Sequence, residues 1–198
     1  MFFRSLIVLV LLVLTAALAG CGSEAPERGT GWTRTSRAEL TADAQSQART
    51  ALAARDALFQ SLSGRLKVAM QEGGPREAIE VCRTEAARLT EAAASSQAVS
   101  IGRTSFRLRN PDNVPPDWAR DLVDARTPDN AWLVHADGRL AGLLPIRLGS
   151  ACLACHGPAA GISEAVKQAL AAGYPADEAT GFAAGDLRGW FWVEVPSP

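Results

Sequence analysis

Ser150-Ala151-Cys152-Leu153-Ala154-Cys155-His156-Gly157 is the stretch on which the reading of this chain turns. Cys-x-x-Cys-His is the attachment signature of a c-type haem, in which two thiols add across the porphyrin's vinyl groups and the adjacent imidazole reaches the iron. The spacing serves that chemistry. Two intervening residues let both sulfurs meet one edge of the macrocycle, and the next side chain then lies under the metal. Three other readings compete. A structural zinc site needs a second Cys/His pair at similar spacing, and none follows or precedes this one. A thioredoxin-like dithiol belongs at the head of an early helix after a strand, whereas this motif comes late in the chain. A plain disulfide between Cys152 and Cys155 leaves His156 without a role. The sequence therefore points to one covalent haem with His156 on the iron.

With 198 residues and 47% hydrophobic content, the chain can bury one core and still carry appendages. A net charge of −1 and no basic cluster argue against a nucleic-acid partner. Arg4 followed by the apolar run 6–19 reads as an export leader, too short for a stable membrane span. The run ends in Leu18-Ala19-Gly20-Cys21, which resembles a bacterial lipobox; an ordinary signal peptide with a nearby cysteine is the alternative. On the lipobox reading, residues 1–20 are removed and Cys21 becomes an acylated anchor facing the periplasm. Gly22 in place of Asp favours the outer membrane, by resemblance to lipoprotein sorting. Residues 21–35 are polar and Gly-rich with Pro26, and read as a flexible tether, Trp32 being a candidate to dock on the folded part. The haem domain is expected over 36–198.

Of the four cysteines, one goes to lipid and two to haem, which leaves Cys82. An odd thiol in an oxidising compartment needs a role. Ser36-Arg37-Ala38-Glu39 fits a capping box, followed by an Ala-rich helix to about Gln71 that Gly73-Gly74-Pro75 stops. A second helix from Pro75 carries Ile79, Cys82, Ala86, Leu89 and Ala93 at helical spacing, so Cys82 points into an apolar seam. These two helices are expected as an antiparallel pair. From Ala98 the period changes: Val99 and Ile101 alternate, the segment on to Arg109 reads as a strand bearing Arg103, Arg107 and Arg109, and 110–116 as a proline-stiffened loop. A short helix is expected over 117–125. Strands 131–135 and 139–146 flank the Asp137-Gly138 turn, a helix covers 163–171, a loop 181–189, and an aromatic strand 190–195 closes the chain. The fold class is α+β.

Several blocks now stand in order: Ala78-Ile79-x-Val81-Cys82, Gly102-Arg103-Thr104-Ser105, Arg109-Asn110-Pro111-x-Asn113-x-Pro115, the haem motif, Gly173-Tyr174-Pro175-x-Asp177-x-Ala179-Thr180-Gly181 and Gly185-Asp186-x-Arg188-Gly189. Together they resemble the bacterial single-haem c-type sensor domains with a PAS-like fold, a family catalogued as a domain of unknown function. The resemblance runs over about 36–195. It departs at Ala119, where the family often carries an acidic residue after the loop tryptophan, and in the unusually aromatic last strand. It implies a PAS-like antiparallel sheet flanked by helices, one covalent haem, and iron held by the motif histidine and a cysteine of the helical region. Cys82 matches that cysteine.

For the sixth iron position the sequence offers Cys82, His135, Met70 and Lys67. Each has an ordinary alternative as a small buried hydrophobe, a strand histidine, a gap-filler or a solvated cation. Cys82 leads, as the unpaired thiol on an apolar helix face and as the position the resemblance implies. A thiolate would stabilise ferric iron and lower the reduction potential. Arg103 and Arg109, with Arg107 behind them, are candidates to bind haem propionates, because guanidinium pairs bidentately with carboxylate. Their alternative is a solvated basic strand edge. Tyr174 could hydrogen-bond near the haem, although packing alone accounts for it. Three function classes follow: a redox or diatomic-gas (NO or CO) sensor signalling through a partner protein, a small electron carrier, and a peroxidase-type enzyme. With two histidines, one of them on iron, the enzyme has few acid–base groups to draw on.

Overall fold

Ala44, Ala48, Ala51 and Ala54, continued by Leu58 and Leu62, form a buried stripe of small side chains that lets one long helix lie close on a sheet. The computed structural model describes residues 31–198. The leader, the lipobox with Cys21 and the tether up to residue 30 lie outside the described residues. Helix α1, Ala42–Glu72, starts at Thr41, whose Oγ1 accepts from the Ala44 amide at 3.3 Å. The Ser36–Glu39 pairing also forms, with the Ser36 amide donating to Glu39 Oε2 at 3.0 Å, but it closes a separate 3-10 turn over Arg37–Glu39. Gly73 ends α1 by donating its amide to Ala69 O at 2.9 Å.

The single second helix expected from Pro75 is two helices, α2 (Gly74–Thr84) and α3 (Ala86–Gln97), both packed on α1. The interruption falls at Glu85, whose carboxylate takes the Arg65 fork from α1 at 2.8–3.1 Å. The expected pair is thus one long helix faced by two short ones.

The sheet has five antiparallel strands in the order β1-β3-β4-β5-β2: β1 Trp32–Thr35, β2 Ser100–Thr104, β3 Ala131–His135, β4 Leu140–Arg147 and β5 Leu187–Val195. Two strands differ from expectation. Residues 32–35, assigned to the tether, are edge strand β1, paired from Trp32↔His135 to Thr35↔Trp132. Trp32 is buried there against Trp118 at 6.0 Å between ring centroids, so it belongs to the folded part. Strand β2 stops at Thr104 instead of running to Arg109. Ser105 Oγ donates to Arg188 O at 2.6 Å and accepts from the Arg107 amide at 3.0 Å, a local side-chain turn that competes with the ladder. Residues 105–109 therefore leave the sheet as a loop.

Alternation along the strands builds two cores. Trp132, Leu140, Leu144, Phe191 and Val193 face α1 and α3, while Leu133, Ala141, Leu143 and Trp190 face Trp32, Trp118 and helix α4 (Arg120–Asp124). Glycines make room for the tryptophans across the strands. A Cβ on Gly102 would come within 2.6 Å of Trp192 Nε1, and one on Gly142 within 2.8 Å of the Trp132 ring. Gly102→Ala should lower stability by about 1–3 kcal/mol through this overpacking. The check is a lower urea midpoint at unchanged m-value.

After β4 come a 3-10 turn (Ser150–Cys152), the single turn α5 (Leu153–His156), another 3-10 turn (Ala159–Gly161) and α6 (Glu164–Gly173), which Ser163 caps. Helix α6 packs on α2. Among the described residues no helix is long and apolar enough to cross a membrane.

Candidate functional site

One helical turn carries the motif. Cys152 sits at the N-cap of α5, and Cys155 follows three residues later on the same side. Cys152 is exposed, Cys155 half-buried, and both are free thiols, as is Cys82. The Gly157 amide closes the turn on Leu153 O at 2.9 Å, where a Cβ would come within 2.6 Å of that same oxygen. Glycine is needed for this close approach.

The loop before β5 straps the turn in place. Phe182 donates its amide to His156 O at 3.0 Å, and Gly181 to Gly157 O at 2.7 Å. The His156 side chain is 2.6 Å from Ala179 O through Nδ1. A carbonyl only accepts, so Nδ1 carries the proton and Nε2 keeps its lone pair. Arg188 Nε lies 3.3 Å from the same Nδ1. A nitrogen that donates to Ala179 cannot also accept there, so Arg188 acts on the ring as a charge and not as a donor. Burial first, then Arg109 and Arg188, holds the imidazole down to about 3, which keeps it neutral, the form that binds metal.

Packing of α2 on α6 brings Cys82 to the motif. Cys82 and Cys155 join Ile79, Ile162, Val166, Leu170 and Tyr174 in one apolar cluster. Burial pushes the Cys82 thiol up, and the Arg103 and Arg109 charges oppose that. Arg103, on β2, is pushed down by burial and feels Cys82 and Tyr174. Beyond its backbone place opposite Phe191, its guanidinium has no hydrogen-bond or ion-pair partner among the described residues. Arg109 differs. Its Nη2 donates to Cys155 O at 2.6 Å, and its fork pairs with Asp177 at 3.1 Å, the two side chains being 11% and 8% exposed. The guanidinium proposed from sequence for a propionate is thus largely committed to bracing the motif's own backbone. Arg107 is committed too, to Glu178 O at 2.8 Å, to Thr180 O and to the face of Phe182 at 4.6 Å.

The other candidate ligands are placed elsewhere. Met70 and Lys67 are exposed on α1. His135, at the end of β3, pairs through Nδ1 with Asp137 at 2.7 Å and packs on Trp32 with ring centroids 4.9 Å apart. Among the described residues no three His, Cys, Asp or Glu side chains converge as a protein-only metal site. What does converge fits a porphyrin: two free thiols one turn apart, an imidazole with Nε2 available, a half-buried thiol packed in the same cluster as Cys155, and a guanidinium without a side-chain partner, suited to a carboxylate.

The model of the Tll0287-like family matches residues 33–196. The chain belongs to the Tll0287-like family. The matched range opens inside β1 and takes in the whole motif, its strap and Arg103, Arg107, Arg109 and Asp177. The crystal structure of the cyanobacterial haem protein Tll0287 aligns with 80% of this chain and 98% of its own, at a TM-score of 0.54 and 24% identity, a likeness of fold. No curated protein matches. Two groups that sequence reasoning left without a role, Asp177 and Arg188, prove to touch the site. Both stand in the blocks that carry the resemblance to single-haem c-type sensor domains, but only the folded strap shows that one braces Arg109 and the other flanks His156.

Proposed function

We propose that this chain is an exported, lipid-anchored c-type haem protein that senses redox state or a diatomic gas such as NO or CO. Cys152 and Cys155 would carry one porphyrin, and His156 and Cys82 would hold its iron. The observation that carries this reading is the His156 ring, whose Nδ1–H is given to Ala179 O in the same turn that presents two free thiols. Membership of the Tll0287-like family, and the likeness to a structure described as a haem protein, support it. The five-stranded antiparallel sheet with flanking helices suits a PAS-like sensor. Arg103 is the propionate partner, with the remaining nitrogen of Arg109 in support. Cys21 anchors the mature chain, at the outer membrane in preference to the inner, and a redox or signalling protein receives the output.

Haem supplies a one-electron Fe(III)/Fe(II) couple and an iron that can accept a small ligand. The protein's part lies in Cys82. Burial opposes a free thiolate at Cys82, so without a metal to hold the sulfur the side chain would rest as the neutral thiol. A Cys82 thiolate that took a proton from solvent would no longer be held by the iron, and the haem could then accept CO or NO.

An electron carrier is the second reading, and the exposure of Cys152 favours it, since a thioether there puts one haem edge at solvent. A peroxidase-type enzyme has less support, because the remaining histidine is engaged with Asp137 and Trp32. The test is purification from a host that matures cytochromes, followed by mass and absorption spectra. One added haem, six-coordinate ferric iron, and CO binding after reduction are expected. Six-coordination in both states without CO binding would make it a carrier. A colourless protein of unmodified mass would end the haem reading.

A further inference from the structure

We propose that Arg188 is a positioning residue that holds a fixed positive charge beside the iron-bound imidazole and so raises the haem's reduction potential. The proposal rests on the haem reading above. Its geometry is on β5, at the point where the strand meets the loop after β2. Arg188 Nη1 donates to Ser105 Oγ at 2.8 Å and to Arg107 O at 3.0 Å, while Ser105 Oγ donates back to Arg188 O at 2.6 Å. Both ends of the residue are therefore gripped by one serine. The Phe182 ring closes a further side, 5.7 Å from the guanidinium carbon. At Gly189 the backbone runs against Thr104 O and Ser105, an approach that a Cβ would block. The guanidinium is thus delivered to a single place, with Nε 3.3 Å from His156 Nδ1.

That place is costly for a cation. Among the described residues no carboxylate forms an ion pair with Arg188; the Asp177 charge favours the cation, while Arg109, Arg103 and Arg107 oppose it. Burial and these neighbours hold it down to about 10, so it remains charged at neutral pH. Burying an unpaired charge needs a compensating negative group. Two propionates and a thiolate would supply one. Nδ1–H is already given to Ala179, so the fold gains no hydrogen bond from His156 for holding Arg188 there. What it gains is a charge at the outer edge of the ligand.

The sign follows from electrostatics. A positive charge near the metal destabilises Fe(III) more than Fe(II) and opposes the low potential that thiolate ligation imposes. When an external one-electron reductant converts Fe(III) to Fe(II), Arg188 keeps its proton, and only the balance between the two states moves. Groups beside a metal's ligands tune it in this way.

The experiment is a reductive titration with dithionite and mediators on the full haem-loaded protein and on R188Q, R188K and S105A. R188Q should shift the Fe(III)/Fe(II) equilibrium about tenfold towards Fe(III), a drop of about 59 mV for a one-electron couple. R188K keeps the charge and should stay within about threefold of the parent. S105A loosens the grip and should shift in the R188Q direction by a smaller factor. A purely structural arginine would lower thermal stability in all three and leave the potential where it was. An R188Q potential equal to the parent's, or R188K falling as far as R188Q, overturns the proposal. If R188Q retains no haem, S105A decides, and an unmoved potential there overturns it. A parent protein without haem would remove the earlier reading and this one together, whereas a haem-loaded parent with unmoved variants removes this one alone.

Discussion

Replacing Cys152 and Cys155 together by Ser should leave a folded protein that holds no covalently attached porphyrin. The motif is held through its own backbone carbonyls, by the Phe182 amide at His156, the Gly181 amide at Gly157 and the Arg109 guanidinium at Cys155. None of these contacts uses sulfur. Cys152 is exposed, and Cys155 sits only at the edge of its apolar cluster, so the loss in stability should stay within about 1 kcal/mol. Haem staining on a denaturing gel reports the linkage directly. The parent band should stain and the double variant should not, with any residual pigment extracted by acidified solvent. Each single variant should keep one thioether and stain weakly. Full staining of the double variant would place the attachment elsewhere and dissolve the reading of 150–157 as the centre of the chain.

Much of this fold can be read from local signals because local chemistry produces it. The Asp137-Gly138 turn works since Gly138 sits at φ +88, and α1 ends where Gly73 and Gly74 make helix continuation unfavourable. The aromatic run of β5 is a strand because alternate residues face two different cores. What escapes local reading depends on distant partners. Trp32-Thr33-Arg34-Thr35 looks like more tether until its edge pairs with β3 and Trp32 meets Trp118. The end of β2 at Thr104 is decided by Ser105 bonding a strand 83 positions away. Glu85 breaks a helix of good periodicity while paired with Arg65 on α1. The site divides the same way. Two thiols and a histidine within five residues announce themselves, and an unpaired Cys82 on an apolar face draws notice. An arginine's destination does not: Arg109 was as good a propionate partner as Arg103 until the 177–182 strap took its fork.

Cys82→Ala should transform the ferric protein and barely alter the ferrous CO complex. Alanine keeps α2 intact and removes one sulfur from a cluster of five buried apolar residues, so a loss of about 1 kcal/mol is expected and folding should survive. On the proposed ligation, however, the iron would lose the thiolate that holds it. Ferric spectra should pass from low-spin to high-spin or water-bound, and the potential should rise by at least about tenfold in the Fe(II)/Fe(III) equilibrium, about 59 mV or more. In the ferrous state CO would occupy the position the thiol had vacated, so parent and variant should look alike there, and the variant should bind CO faster because no side chain has to leave first. Met70→Ala and His135→Ala serve as the counter-test. One residue is exposed on α1 and the other is held by Asp137 and Trp32, so both variants should reproduce the parent's ferric spectrum. An unchanged ferric spectrum in Cys82→Ala, with a change in either of the other two, would move the sixth ligand and take the proposed thiol switch with it.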